Sequence, residues 1–223
     1  MLYKLDLHIH TKASKCFKDE KLSNAEINNA IVKQAKNKVL DLIAVTDHYT
    51  FKNYQEIKDA ARKENIKVVP GMEFSLKAKT PEKVSLIALF DEQIEPFHLK
   101  NKIFSRLNIP PEAEGNGYFL IENGIPEILD MVRENKGLVF SAHQDKNEGR
   151  MLFVPDLVKC GINLFDLRDP AGKDEFSEKF SKYNIIPLTF SDSHKIEDVG
   201  KYFMELPLDK CSFFGFKNYI NSL

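Results

Sequence analysis

The residues best suited to chemistry in this chain are its histidines. Six occur among 223 residues, and five of them (His8, His10, His48, His143 and His194) fall at or just beyond an apolar run that reads as a β-strand. Two acids share that placement. Glu73 follows Val68-Val69-Pro70-Gly71, and Asp192 follows Leu188-Thr189-Phe190. Imidazole nitrogen and carboxylate oxygen together make a ligand set suited to Zn, Mn or Fe. One histidine at a strand end is ordinarily a polar surface or capping residue. Five with two acids in the same position form a candidate metal centre. His98 falls elsewhere and reads as structural, as does Asp47, which alternates away from His48.

Spacing adds geometry. Successive strand residues point to opposite faces, so Asp6, His8 and His10 are expected to project together, opposite Leu5, Leu7 and Ile9. Asp192 and His194 repeat the interval. Asp6 is then placed to orient a ligand histidine through its second ring nitrogen.

Residues so far apart in sequence need a scaffold that gathers them. Apolar runs at 3–10, 42–46, 67–69, 84–90, 138–141, 164–167 and 186–190 read as seven strands. Helical patterns separate most of them, which argues for an α/β fold of parallel strands and crossover helices. Ser23-Asn24-Ala25-Glu26 has capping-box spacing ahead of Ile27, Ala30, Ile31 and Ala35. Pro126-Glu127 suits a first helical turn and Gly137 the end of that helix, while Pro155 and Gly161 bracket a shorter one. Further helices are expected near 174–183 and along the Phe-rich tail at 213–220. From 91 to 124, Pro96, Pro110-Pro111 and Gly115-Asn116-Gly117 read as loops with short helical pieces, forming either a cap over the site or a long crossover. In a parallel barrel the strand ends converge on one face, where active sites sit.

Composition bounds the rest. Lys plus Arg (32) nearly balance Asp plus Glu (33), so no global charge draws the chain to nucleic acid or an anionic membrane, although a local basic patch stays compatible with it. No apolar run approaches the roughly 20 residues that span a bilayer, and the start reads as a strand rather than a signal peptide. Cys16, Cys160 and Cys211 are odd in number and widely spaced, which fits a reducing cytoplasm better than a disulfide framework.

Taken in order, His8-Ile9-His10-Thr11, Thr46-Asp47-His48, Gly71-Met72-Glu73, Ser141-Ala142-His143 and Ser191-Asp192-Ser193-His194 resemble the motifs of the PHP (polymerase and histidinol phosphatase) family. The resemblance runs from Asp6 to about Gly200. It implies a distorted seven-stranded TIM-like β/α barrel, a single domain over 1–223, holding two to three divalent ions (Zn, Mn or Fe). Carried over, His8, His10 and Asp192 bind a first metal, Glu73 bridges it to a second on His143, and His48 with His194 hold a third. Two positions depart from the family. Ser85 stands where a histidine is usual, and Ser14-Lys15-Cys16-Phe17 replaces an acid or histidine, leaving Cys16 as a candidate thiolate ligand.

The resemblance implies phosphoester hydrolysis by metal-activated hydroxide, with Asp192, His48 and His194 catalytic and the two histidines placed to assist the leaving oxygen. Arg168, Lys195 and Lys12 are the candidate phosphate contacts, Arg168 foremost because its planar fork matches phosphate. A small phosphomonoester is the first expectation and a nucleotide or nucleic-acid end the second. An amidohydrolase also opens with H-x-H, and a degenerate metal-binding scaffold would carry Ser85; both remain open.

Overall fold

The computed structural model describes residues 1–19, 21–78, 83–122 and 124–223. Among them lie eight strands: β1 Leu2–Ile9, β2 Leu42–Val45, β3 Lys67–Lys77, β4 Lys83–Leu89, β5 Leu138–Ala142, β6 Leu164–Asp166, β7 Ile186–Leu188 and β8 Met204–Pro207. They form one sheet in the order β7-β6-β5-β4-β3-β2-β1-β8. The sheet curls into a nearly closed barrel. Ile9 and Ser193 meet in a parallel bridge, where His10 N–H donates to the Ser193 carbonyl at 3.0 Å. The barrel class is as expected, with one strand more. Met204–Pro207 is short and carries Glu205 and Pro207, so it gives no apolar run to read.

Not every strand is parallel. β4 runs antiparallel to both β3 and β5, pairing Ser75 with Ser85 and Glu73 with Ile87. Only residues 78–82 separate β3 from β4, and a parallel crossover needs about a dozen residues or more. This reversal puts the start of β4, with Lys83 and Ser85, at the end of the barrel where the parallel strands finish. β3 is also longer than its apolar run suggests, so Glu73 lies within the strand rather than past its end.

Helices α1 Asn24–Asn37, α2 Tyr54–Lys63, α3 Pro96–Leu107, α4 Ile125–Glu134, α5 Glu148–Leu152, α6 Val154–Lys159, α7 Lys173–Lys179 and α8 Phe213–Asn221 surround the sheet. The capping box is real: the Ser23 side chain accepts from Glu26 N–H, and Ser23 N–H donates to Glu26 Oε2 at 2.8 Å, a device worth about 1 kcal/mol. Helix residues such as Ile31, Ile57 and Ile128 pack with Ile43, Val68 and Leu86 on the outer face. A second cluster, with Leu5, Leu7, Leu42, Val69 and Ile87, fills the barrel. Phe213, Phe216 and Ile220 of α8 join it beside Tyr3, Leu138 and Ile186, the beginnings of β1, β5 and β7. That end is plugged with apolar side chains. The opposite end is left for polar ones.

The segment from 91 to 124 is more regular than its prolines suggest, since α3 takes twelve residues of it (residue 123 lies outside those described). After α3 a short 3-10 turn, Pro111–Ala113, leads into a strap. The strap crosses the polar end of the barrel before Ile121 pairs with Leu76. No helix among the described residues is long and apolar enough to cross a membrane.

Candidate metal centre

β1 delivers the first two histidines by breaking the alternation expected of it. The register of β1 against β2 shifts between Asp6 and Ile9, a bulge or irregularity. Leu5 and Leu7 therefore pack in the inner cluster while Ile9 packs in the outer one. A bulge re-aims a side chain in this way and is common beside active sites. Asp6 does not join His8 and His10 as expected. Its carboxylate instead accepts from Ser191 N–H at 3.0 Å and Gly200 N–H at 2.9 Å, tying down the last loop, and burial raises its pKa to about 6.

His8 is oriented by Asp166, at the end of β6. His8 Nδ1–H donates to Asp166 Oδ2 at 2.8 Å, so in the neutral ring Nε2 is the nitrogen left open for a metal. His10 is held through a chain: its Nδ1–H donates to Ser14 Oγ at 3.1 Å, and Ser14 Oγ–H donates to Asp47 Oδ1 at 2.6 Å. Asp47 also accepts from Thr11, so it shapes the loop behind His10, in keeping with its structural reading.

The freed atoms converge. His8 Nε2 lies 3.6 Å from Glu73 Oε2 and 3.3 Å from Asp192 Oδ1; His10 Nε2 lies 3.1 Å and 3.5 Å from the same two oxygens. Metal–ligand bonds of about 2.0–2.2 Å in tetrahedral geometry would set ligand atoms roughly 3.3–3.6 Å apart. His8 Nε2, His10 Nε2, His48 Nδ1 and Asp192 Oδ1 are all buried without a hydrogen-bond partner. Four orphaned polar atoms in one buried pocket are costly unless something satisfies them. A divalent cation fits that requirement.

The remaining candidates adjoin the quartet His8, His10, Glu73 and Asp192. His48 Nδ1 lies 3.6 Å from Glu73 Oε2, His143 Nε2 3.9 Å from Glu73 Oε1, and His194 Nδ1 3.4 Å from Asp192 Oδ1. His10-His48-His194, His8-Glu73-His143 and His8-His10-Asp192 each bring three ligand atoms within 4.8 Å. The backbones of His143 (φ 56°) and Asp192 (φ 46°) are left-handed. Such strain in non-glycine residues concentrates at functional sites. It turns both side chains inward directly after a strand or its extension.

Electrostatics agree with a cation well. Burial opposes charge on His10, yet Asp192 and Glu73 raise its pKa to about 9; Asp192 and Asp166 likewise raise His8. Burial would raise Glu73 and Asp192, but the surrounding histidines hold both well below the usual carboxylate range. Burial lowers His48 to about 3 and, with His10 beside it, His194 to about 4. Both rings are neutral at pH 7. A neutral imidazole is the form that ligates a metal.

A cavity of about 880 Å³ opens over the cluster. Arg168 lines it, on a backbone N–H held by Asp145 Oδ1 at 2.7 Å. Lys195 instead pairs with Glu197 at 2.6 Å, and Lys12 donates to the Leu22 carbonyl at 2.5 Å; neither lines the cavity. Cys16 does, but burial and nearby Glu73 push its thiol up to about 12, and it belongs to no ligand cluster among the described residues. His98 is exposed on α3 beside Glu95.

Three cavity residues carry no role in the sequence reading. Arg150 is buried and lines the cavity, its Nη1 donating to the carbonyls of Ala142 at 3.3 Å and His143 at 3.4 Å. It follows the strand-end His143 by seven residues, too far past the strand to share the signal of Arg168, which stands just beyond an apolar run. Asp166 was legible as an acid inside the apolar run Leu164-Phe165-Asp166-Leu167, where burial demands a partner. Lys83 reaches the site only through the reversal of β4. Its Nζ donates to the Gly117 carbonyl at 2.7 Å, and the Ser85 hydroxyl beside it is buried without a partner.

The strap completes the enclosure. Gly115 N–H donates to the His48 carbonyl at 2.8 Å, and a Cβ on Gly117 would fall 2.4 Å from His48 Nε2. Only glycine lets the strap lie flat on that imidazole.

A family model, the PHP domain, matches residues 6–143. An uncharacterised protein of Methanocaldococcus jannaschii is 40% identical over 73 residues, which are 31% of this chain and 43% of that protein. Among solved structures, the lesion-specific endonuclease Q of Pyrococcus furiosus superposes on the whole chain with TM-score 0.73 at 20% identity. The chain spans 56% of its length. A proposed metal-dependent phosphoesterase of Bifidobacterium adolescentis gives TM-score 0.62 at 12% identity, over 97% of this chain and 95% of the other. At these identities the two structures establish the shared fold.

Proposed function

The chain belongs to the PHP domain family, a family of metal-dependent hydrolases, and from that premise we propose that it is a phosphoesterase whose chemistry centres on His8, His10, Glu73 and Asp192. The observation that carries the reading is the quartet of converging nitrogen and oxygen atoms, histidine to carboxylate 3.1–3.6 Å apart, three of them buried without a hydrogen-bond partner. Bound there, a divalent ion would lower the pKa of water and neutralise charge on phosphoryl oxygens. His143, His48 and His194 surround the quartet and would hold one or two further ions, with Ser85 offering a hydroxyl where the second would otherwise gain an imidazole.

The chain's own side chains do the rest. Asp166 and Ser14 hold His8 and His10 in the tautomer that leaves Nε2 open. Arg150, anchored to the carbonyls on either side of the Ala142–His143 peptide, presents its guanidinium beside Glu73 and Asp192 and clamps the phosphoryl oxygens. Arg168 extends that clamp toward solvent. His48 and His194, neutral at pH 7, are available to hydrogen-bond and orient the attacking water when not ligating. Glu73 occupies the centre of the cluster, within 3.9 Å of His8, His10, His48 and His143.

Cations at the cavity change the expected substrate. Lys15, Lys18, Lys146, Arg168 and Lys201 stand exposed around it, with Lys83 and Arg150 deeper. One phosphate does not need seven, so a nucleotide or nucleic-acid phosphoester takes precedence over a small phosphomonoester. The lesion-specific endonuclease among the fold's neighbours supports that direction. Phosphorylated metabolites, nucleotides and short oligonucleotides assayed with Mn(II) test the proposal. Turnover in the last two groups is expected; amide hydrolysis with no phosphoester turnover would sink it.

A further inference from the structure

Among the cavity residues with no part in metal binding or phosphate contact, one stands out by its exposure. Tyr118 lines the mouth yet is 86% exposed, a large aromatic ring held in water. Its ring has no aromatic or cationic partner among the described residues. The backbone beneath it, in contrast, is fixed on every side. Tyr118 N–H donates to Asn116 Oδ1 at 3.1 Å, and the Gly117 carbonyl accepts from Lys83 Nζ at 2.7 Å and Ser75 Oγ at 3.2 Å. On the far side, the Phe119 carbonyl accepts from Tyr49 Oη–H at 2.9 Å. The ring therefore stands on a backbone held at 117, 118 and 119. A tyrosine on a fixed backbone has only two side-chain torsions to immobilise, so it offers contact area at low entropic cost.

Position gives the ring its meaning. Gly117, the preceding residue, lies against the imidazole of His48, so Tyr118 stands one residue from the metal cluster. Exposed lysines and Arg168 rise from the loops after β1, β5, β6 and β7 around the same mouth. A cationic surface that tracks phosphates, interrupted by an aromatic face, is the arrangement that binds single-stranded nucleic acid. We propose that Tyr118 is the stacking platform for the base beside the scissile phosphate, and that the substrate is a single-stranded nucleic acid laid across this mouth. The inference rests on the phosphoesterase reading above and adds to it the demand for a base.

The test uses the Mn(II)-loaded full chain with two oligomers of equal phosphate count, deoxythymidine decamer and a decamer of abasic spacers. The wild type is expected to prefer the base-bearing oligomer. Tyr118→Ala should reduce that preference roughly 10- to 100-fold, while Tyr118→Phe keeps it, since stacking needs the ring and not the hydroxyl. Replacing Lys18 and Lys201 by Gln should flatten the log–log salt dependence of binding by about 0.7 per lysine. Equal cleavage of both oligomers, unaltered by Tyr118→Ala, would overturn the inference and leave the phosphoesterase reading standing. Turnover of small phosphomonoesters with neither oligomer cut would do the same. No turnover of any phosphoester would defeat the underlying reading itself.

Discussion

Substituting Asp166→Asn isolates how the site keeps a histidine nitrogen open. Asp166 is buried, its Oδ2 bonded to His8 Nδ1 at 2.8 Å and its Oδ1 accepting from Phe190 N–H at 2.9 Å. Asparagine preserves the shape and can keep the oxygen for Phe190. It then turns an NH2 group, a donor only, toward His8 Nδ1. To accept that bond His8 must carry its proton on Nε2, the atom aimed at Glu73 and Asp192. Loss of a carboxylate behind a metal-ligating histidine costs about 10- to 100-fold in metal affinity, or roughly 1.4–2.7 kcal/mol. Folding should suffer less, by about 1–2 kcal/mol, because one hydrogen bond survives. Competition against a chromophoric chelator measures the first quantity and thermal unfolding of the chelated protein the second. Metal affinity within twofold of the wild type would refute the reasoning, since His8 would then not depend on Asp166 for its tautomer.

Other outcomes follow from the same geometry. Arg150→Met should lower turnover about 10²- to 10³-fold, as for loss of a single donor to a developing charge; metal content, read by elemental analysis, should not change. Gly117→Ala sets a Cβ 2.4 Å from His48 Nε2, so the strap or the ring must move. Weaker metal retention and reduced turnover are expected with an unchanged circular dichroism spectrum. Metal binding should also be linked to pH. In the metal-free protein His10, raised to about 9, carries a proton at pH 7 that a metal must displace. Calorimetry in buffers of different ionisation enthalpy should show protons released, with affinity climbing as pH rises toward 9. The stabilisation that protonated His10 gives the metal-free fold runs the other way: it is complete below pH 6.5 and lost as pH rises through about 9.

Much of the site was legible because metal ligands are polar residues placed where strands stop. His8, His10, His48, Glu73, His143, Asp192 and His194, all singled out by position, do share one pocket. What stayed hidden was whatever depended on the sheet's closure. Alternation alone does not reveal the bulge that separates Ile9 from Leu5 and Leu7, so the pattern points to Asp6 for the role that Asp166 fills from a distant strand. The reversed β4 was missed because its apolar pattern is the same in either direction, and with it went Lys83. Charge was legible only as a sum. A chain with 32 basic and 33 acidic residues looks neutral, yet seven of its cations line one cavity.

The central claim is that a metal on the His8-His10-Glu73-Asp192 quartet drives phosphoester hydrolysis. Reconstitution tests it most directly: protein stripped with chelator is titrated with Mn(II) or Zn(II) while hydrolysis of p-nitrophenyl phosphate and of an oligonucleotide is followed. The stripped protein should be inactive, and turnover should return as the first equivalents bind and fail to return in Asp192→Ala. Full activity after stripping, or complete metal loading with no hydrolysis of either substrate, would contradict the account.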